Sequence, residues 1–156
     1  MSPRAACRLA TLGFTRVYDY TPGKVDWLAR GLPGEGLRAN DPTAGSLARH
    51  DVATFPLDAS TGDVRRAIAD SPYGYALVLG PGAVVLGRVR KSALDALSDG
   101  DPIDTVLEPR PQTIRPHLTE GKLQERFEAY GFHTLVVTRP DGTLIGVVRR
   151  DDIATV

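Results

Sequence analysis

Apolar residues in this chain gather in short unbroken runs set between polar, Gly- and Pro-rich turns, and the runs come in matched pairs. Tyr75–Leu79 and Thr134–Thr138 are two such runs, and each is followed by a turn and a second apolar stretch, Ala83–Val89 and Thr143–Val148. Continuous apolar runs of this length predict strands in the interior of a mixed sheet, where both faces are covered. Between them lie segments with helical spacing: Val64 and Ile68 in one, Leu123 and Phe127 in the other. The two series superpose without a gap at a constant offset of 59 residues, as from Thr54 to Thr113, Ser60 to Thr119, Gly87 to Gly146 and Leu94 to Ile153. A repeat of this kind means two copies of one supersecondary unit, each burying apolar surface partly against the other.

Each copy reads β-α-β-β-α. In the first, Val52–Leu57 predicts a strand, Ser60 caps a helix over Gly62–Asp70, Tyr75–Leu79 and Ala83–Val89 flank a Pro81-Gly82 turn, and Ser92–Leu97 opens a last helix. In the second, Gln112–Arg115 is the strand and Thr119 caps Glu120–Tyr130. Asp141-Gly142, a strong hairpin dipeptide, joins the next two strands, and a final helix begins near Arg150. A short amphipathic turn leads into each copy, Ala44–Arg49 and Asp101–Leu107. Ahead of them, Ala5 to Leu12 predicts a helix ended by Gly13, Phe14–Tyr20 a brief strand, and Lys24–Arg30 a second helix. The expected organisation is an N-terminal segment over 1–34, a Gly/Pro-rich linker over 35–45, a first repeat over 46–100 and a second over 101–156. The fold class is α/β with mixed sheets, the two repeats being related by a pseudo-two-fold axis.

The pattern of the second copy resembles a cystathionine-β-synthase (CBS) domain. The resemblance rests on the helix Leu123–Tyr130, the strand His133–Val137, and Asp141 to Ile153 (DGTLIGVVRRDDI), which looks like the family's closing motif. In that motif a Gly is followed by two apolar residues, a Thr or Ser, two variable positions and an Asp. Two such domains in tandem are called a Bateman module, and residues 46–156 resemble one. The resemblance implies a non-catalytic regulatory module that binds AMP, ADP, ATP or S-adenosylmethionine in a cleft between copies and forms a homodimer. In the family the motif Asp holds the ribose hydroxyls, since one carboxylate offers two acceptor oxygens to a vicinal diol.

Transferred residue by residue, the resemblance is asymmetric. The second copy keeps the acidic residue as Asp152 but has Arg149 in place of Thr or Ser. The first has Ala93 in place of the Asp and Arg90 in place of the hydroxyl residue, so its site is expected to be lost or differently used. Arg149 and Arg90 have two readings, as receivers of a phosphate or as plugs that close the cleft by pairing with a neighbouring carboxylate such as Asp151 or Asp152. Thr113 and Ile114 stand on the strand that lines the base pocket in the family, and His133 precedes the central strand where it could meet a phosphate. For Ile114 the competing reading is core packing, and for His133 an ordinary surface position. One site per chain, near Asp152, is the expectation; the alternative is a structural dimerisation module with closed clefts and no ligand.

Residues 2–34 resemble the back half of a rhodanese domain through Ser2, Ala5-Ala6, Leu9, Gly13-Phe14, Val17-Tyr18, Pro22-Gly23, Trp27 and Gly31-Leu32-Pro33. The nucleophilic loop of that family would stand before Ser2, and Cys7 falls inside the predicted helix among apolar neighbours, where a small buried thiol is expected. Sulfurtransferase chemistry by these residues is therefore not expected, although the chain would then read as the C-terminal part of a rhodanese-type enzyme with a fused CBS pair.

Composition changes this picture little. Lys+Arg and Asp+Glu balance at 19 each in 156 residues, which argues against a general nucleic-acid or acidic-membrane surface. Sixteen of the basic residues are Arg, suited to bidentate anion contacts. One Cys, the absence of a signal-peptide pattern and the absence of any run near 18 apolar residues fit a cytoplasmic chain. Three isolated His residues (His50, His117, His133) make no metal spacing, and no Gly-rich phosphate loop or catalytic acid–base pair stands out.

Overall fold

The computed structural model describes residues 3–36 and 40–153, and the repeat dominates it. Three helices, α1 (Pro3–Thr11), α2 (Gly23–Ala29) and α3 (Ala44–Leu47), precede the first copy. That copy comprises β1 (Thr54–Pro56), α4 (Thr61–Ile68), β2 (Tyr75–Leu79), β3 (Val85–Arg90) and α5 (Lys91–Leu94). The second is β4 (Glu108–Pro109), β5 (Thr113–Ile114), α6 (Glu120–Tyr130), β6 (Thr134–Thr138) and β7 (Leu144–Arg149). They build one sheet in the order β1-β2-β3-β4 and another in the order β5-β6-β7. Both sheets are mixed, as expected: β1 and β5 run parallel to their neighbours β2 and β6, while β3 and β7 run antiparallel to them. Even the irregularities repeat, since the register slips between Val78 and Leu79 in one sheet and between Val137 and Thr138 in the other.

Local chemistry accounts for the element ends. Ser60 Oγ accepts the Asp63 amide at 3.2 Å, a helix N-cap. Thr119 takes the same position before α6 without a side-chain cap bond. Gly131 at φ 65° stops α6 in the left-handed conformation that glycine adopts without a Cβ penalty. In the hairpin, Asp141 Oδ1 accepts the Thr143 amide at 2.9 Å while Gly142 takes φ 88°.

The lead-in segments cross over. The turn Ile103–Val106 and strand β4, which precede the second copy in sequence, belong in space to the first: β4 pairs with β3, and Ile103 packs with Val64, Ile68, Val78, Val89 and Leu94. The reverse exchange is made by α3 and Arg49. Ala44 packs with Leu123, Phe127, Val137 and Val148, and Arg49 forms an antiparallel bridge to Val147 on β7. Each crossing loop also supplies an acceptor to the first turn of the helix it reaches. Asp101 O takes the Thr61 amide at 3.2 Å, and Pro42 O takes the Glu120 amide at 3.2 Å. The pseudo-two-fold axis runs where equivalent residues meet, at the Val84–Thr143 bridge and at the 3.0 Å hydrogen bond from Tyr75 Oη to Thr134 Oγ1. Around it a third apolar cluster, Val52, Tyr73, Tyr75, Leu77, Val136 and Val147, joins the two sheets. Neither copy completes its core without the other's lead-in.

The N-terminal segment departs from expectation. Phe14–Tyr20 forms no strand and pairs with no sheet edge among the described residues; Phe14 and Tyr18 are exposed. Cys7 is exposed rather than buried, since α1 buries no residue. Helix α2 is anchored from within. Tyr20 Oη donates to Asp26 at 2.5 Å, Arg30 Nε donates to the same carboxylate at 2.7 Å, and the Tyr20 and Trp27 rings meet edge to face at 5.1 Å. After β7 the described chain forms a single 3-10 turn, Arg150–Asp152, where a helix was expected; residues 154–156 of that expected helix, and Ser2 of the N-terminal resemblance, lie outside the described residues. Among the described residues no helix is long and apolar enough to cross a membrane.

Candidate functional site

Asp152 stands in the 3-10 turn that follows β7, facing the crossed lead-in, and both its carboxylate oxygens are engaged. Arg49, at the end of the crossed lead-in, donates from Nε to Asp152 Oδ2 at 2.8 Å and from Nη2 to Oδ1, a bidentate fork. The Arg149 amide donates to Oδ2 at 3.2 Å. The Arg49 bonds come first in holding the Asp152 carboxyl below the ordinary aspartate range; burial opposes them and is outweighed. A depressed folded pKa stabilises the fold at pH above the unfolded value, near 3.9 for Asp, and that contribution is lost as pH falls through the folded value. Acid unfolding below about pH 4 should therefore be less steep in Asp152→Asn than in the parent protein, as followed by circular dichroism. Equal slopes would mean that the ion pair does not persist in solution.

The residues around this pair are polar and ionic too. Arg149 sends Nη2 to Asp151 Oδ2 at 2.7 Å. Tyr73, only 8% exposed, donates its hydroxyl to Asp51. Burial first, then this bond, pushes the Tyr73 phenol well above its usual range, so it stays a neutral donor. Arg49, Asp51, Tyr73, Arg149, Asp151 and Asp152 thus form a site in which each arginine has its own carboxylate and Asp51 is held by the neutral Tyr73 hydroxyl, leaving one net negative charge.

Of the residues singled out from sequence, Asp152 and Arg149 come together. His133 touches this site through its backbone, whose carbonyl accepts the Arg150 amide at 3.0 Å; its side chain is exposed. Thr113 and Ile114 lie one strand further away, paired with Val136 and Val137 on β6. Ile114 is 3% exposed and packs in the second copy's core, while Thr113 is exposed. Sequence reasoning missed Arg49, Asp51 and Tyr73. The offset of 59 was the available signal: it pairs Arg49 with Glu108, Asp51 with Arg110 and Tyr73 with Phe132, so the two clefts are built on one frame with charges exchanged.

In the first copy's cleft, Ala93 stands where Asp152 stands in the second, and Arg90 where Arg149 stands. Arg90 Nε pairs with Glu108 Oε1 at 2.7 Å and Arg88 Nε with Oε2 at 2.8 Å. Burial would raise the Glu108 carboxyl, but the two guanidinium groups together outweigh it and hold it below the usual range.

Residues 103–156 match the CBS domain family. No curated protein matches the chain. Among solved structures, the CBS domains of a transcriptional regulator from Streptococcus pneumoniae are 23% identical with a TM-score of 0.63, the match covering 71% of this chain and 95% of that one. CBSX2 in complex with AMP is 19% identical with a TM-score of 0.62, over 72% and 92% of the two chains. The cytosolic domain of the Mg2+ channel MgtE in complex with ATP is 20% identical with a TM-score of 0.63, over 72% and 47%. The chain therefore spans a little under half the length of that domain, and 46% of the similar soluble part of a magnesium transporter. The rhodanese-like reading of residues 2–34 finds no support in these matches. Residues 103–156 thus match the CBS domain family, and the chain has the fold of CBS-pair proteins.

Proposed function

We propose that this chain is a regulatory module that senses an adenine nucleotide at one site per chain, built around Asp152. The observation that carries the reading is a pair of adjoining ion pairs: Arg49 forks onto the ionised Asp152 carboxylate, and Arg149 beside it reaches Asp151. A nucleotide supplies both complements at once, a ribose diol for Asp152 and phosphates for Arg49 and Arg149. Binding then exchanges protein–protein ion pairs for protein–ligand ones, so little buried charge is left unpaired at any stage. Arg49 reaches the site from the crossed lead-in, so its movement is transmitted to α3, which is the route by which occupancy would reach a partner. The AMP and ATP complexes of CBSX2 and MgtE, both of this fold, favour the same ligand class.

A second reading has its own support. Arg49 covers the Asp152 oxygens that a ribose would need, as a sealed cleft in a purely structural dimerisation module would require. Replacing Arg49 separates the two. On the sensing account Arg49→Ala uncovers the diol acceptor, and adenosine, which has no phosphate, binds at least as tightly as to the parent protein, whereas Asp152→Ala binds roughly tenfold or more weakly. Isothermal titration with adenosine and AMP reads both. No heat with either ligand in any of the three proteins would favour the sealed module.

A further inference from the structure

The cleft that lacks the acidic motif residue is the more cationic of the two. It lies against the pseudo-two-fold axis, where Tyr75 and Thr134 join its wall to Arg88, Glu108, Arg110 and Phe132, and it encloses about 120 Å³. That is the liquid volume of about four waters at ~30 Å³ each, well below the roughly 300–1,000 Å³ of pockets that take larger organic ligands. It suits a small ion.

Its charges do not cancel. Among the described residues Glu108 is the sole carboxylate of the wall, and both its oxygens are taken, one by Arg88 Nε and one by Arg90 Nε. Arg90 therefore offsets Glu108. Arg88 keeps its terminal nitrogens uncommitted among the described residues, and its guanidinium is held in place over the Tyr75 ring, 5.8 Å from the centroid. Arg110 makes no hydrogen bond or ion pair among the described residues, and it lines the cleft from a backbone at φ 56°. That left-handed conformation is costly for a residue with a Cβ and free for glycine. A guanidinium is thus kept at a position whose backbone favours its absence. On the other side of the axis the equivalent residue is Asp51, already bonded to Tyr73.

We propose that this cleft binds a small doubly charged oxyanion, inorganic phosphate or the phosphate of a monoester, through the guanidinium groups of Arg88 and Arg110. The unpaired Arg110 guanidinium and the free terminal nitrogens of Arg88, whose Nε is bonded to Glu108, face one small volume, and planar guanidinium donors match phosphate oxygens in pairs. Ala93 leaves no carboxylate for a ribose, so the anion rather than a nucleoside is what the wall recognises. The site is independent of Asp152.

Isothermal titration of the full chain with inorganic phosphate tests this, in the parent protein and in Asp152→Ala, Arg88→Gln and Arg110→Gly. The expected result is equal affinity in the parent and Asp152→Ala, and affinity about tenfold or more lower in the other two. Arg110→Gly also relaxes the backbone, so its unfolding midpoint without phosphate should be no lower than the parent's, which separates lost binding from lost folding. Competition by AMP in the Asp152→Ala protein would identify a monoester as the source, and its absence the free ion; both outcomes uphold the site. No phosphate binding at all, affinity unchanged in Arg110→Gly, or affinity lost in Asp152→Ala but kept in Arg110→Gly would each overturn the proposal.

Discussion

Replacing Gly146 with alanine should destabilise the protein by about 3 kcal/mol or more, although a single methyl group is added. The reason is the crossed lead-in. Arg49 and Val147 exchange two backbone hydrogen bonds of 2.9 Å each, which draws the lead-in backbone directly over Gly146. A Cβ there would meet the Arg49 carbonyl oxygen deep inside van der Waals contact, with Ala48 Cβ at 3.2 Å closing the other side. Backbone, unlike a flexible side chain, cannot step aside without losing those hydrogen bonds, each worth about 1 kcal/mol, and withdrawing α3 from the core it completes. Gly87, the equivalent residue, is under the same constraint, since an added methyl would sit 2.7 Å from Glu108 O and 2.5 Å from Leu107 Cδ1. Both variants should lower the thermal midpoint by about 2–4 °C per kcal/mol for a chain of this size. A loss below about 0.5 kcal/mol in urea unfolding of Gly146→Ala, the range of an ordinary surface substitution, would show that the lead-in does not cross as described.

Phe127→Ala should cost a further class of energy, cavity formation, at about 3–5 kcal/mol. Phe127 is 1% exposed and packs from α6 onto Ala44, Leu123, Leu135 and Val137, at the point where the crossed α3 closes the second core. Removing the ring leaves a void bounded by elements of both sequence segments, so relaxation in one cannot fill it. Arg126, its exposed neighbour on the same helix, provides the control: Arg126→Ala should change stability by no more than about 0.5 kcal/mol. Against total stabilities of about 5–15 kcal/mol typical of folded domains, the Phe127 variant should lose a large fraction of its stability, read as a lowered thermal midpoint, and the Arg126 variant should not. Equal midpoints for the two would contradict the burial assigned to Phe127.

Much of this architecture is legible in the sequence, because the signals are local. Five-residue apolar runs, Ser60 as a cap and Asp141-Gly142 as a turn each act within a few residues, and the constant offset makes one copy a check on the other. The crossing of the lead-ins is not legible in that way. Ala44 and Ile103 occupy equivalent places in both copies, and nothing in their local pattern says which core they enter. Arg49 was missed for the same reason: its partner, Asp152, lies 103 residues away, and it sits at the end of a turn where any polar residue is acceptable. That Asp152 and Arg149 lie together is legible because the motif carries them on one short stretch, whereas Ile114 faces the core, a choice that strand register makes and sequence does not print. The strand expected at Phe14–Tyr20 failed in the opposite sense, since its residues favour extension but no strand among the described residues pairs with them.

The central claim is that the cleft at Asp152 holds an adenine nucleotide. A thermal-shift titration with AMP, ADP, ATP and S-adenosylmethionine, run on the parent protein and Asp152→Ala side by side, tests it most directly. A ligand that prefers the native state raises stability by about 2.7 kcal/mol at a hundred times its Kd. The account predicts a concentration-dependent rise in midpoint with at least one of the four, and its loss in Asp152→Ala. A flat response to all four, or rises of the same size in both proteins, would contradict it.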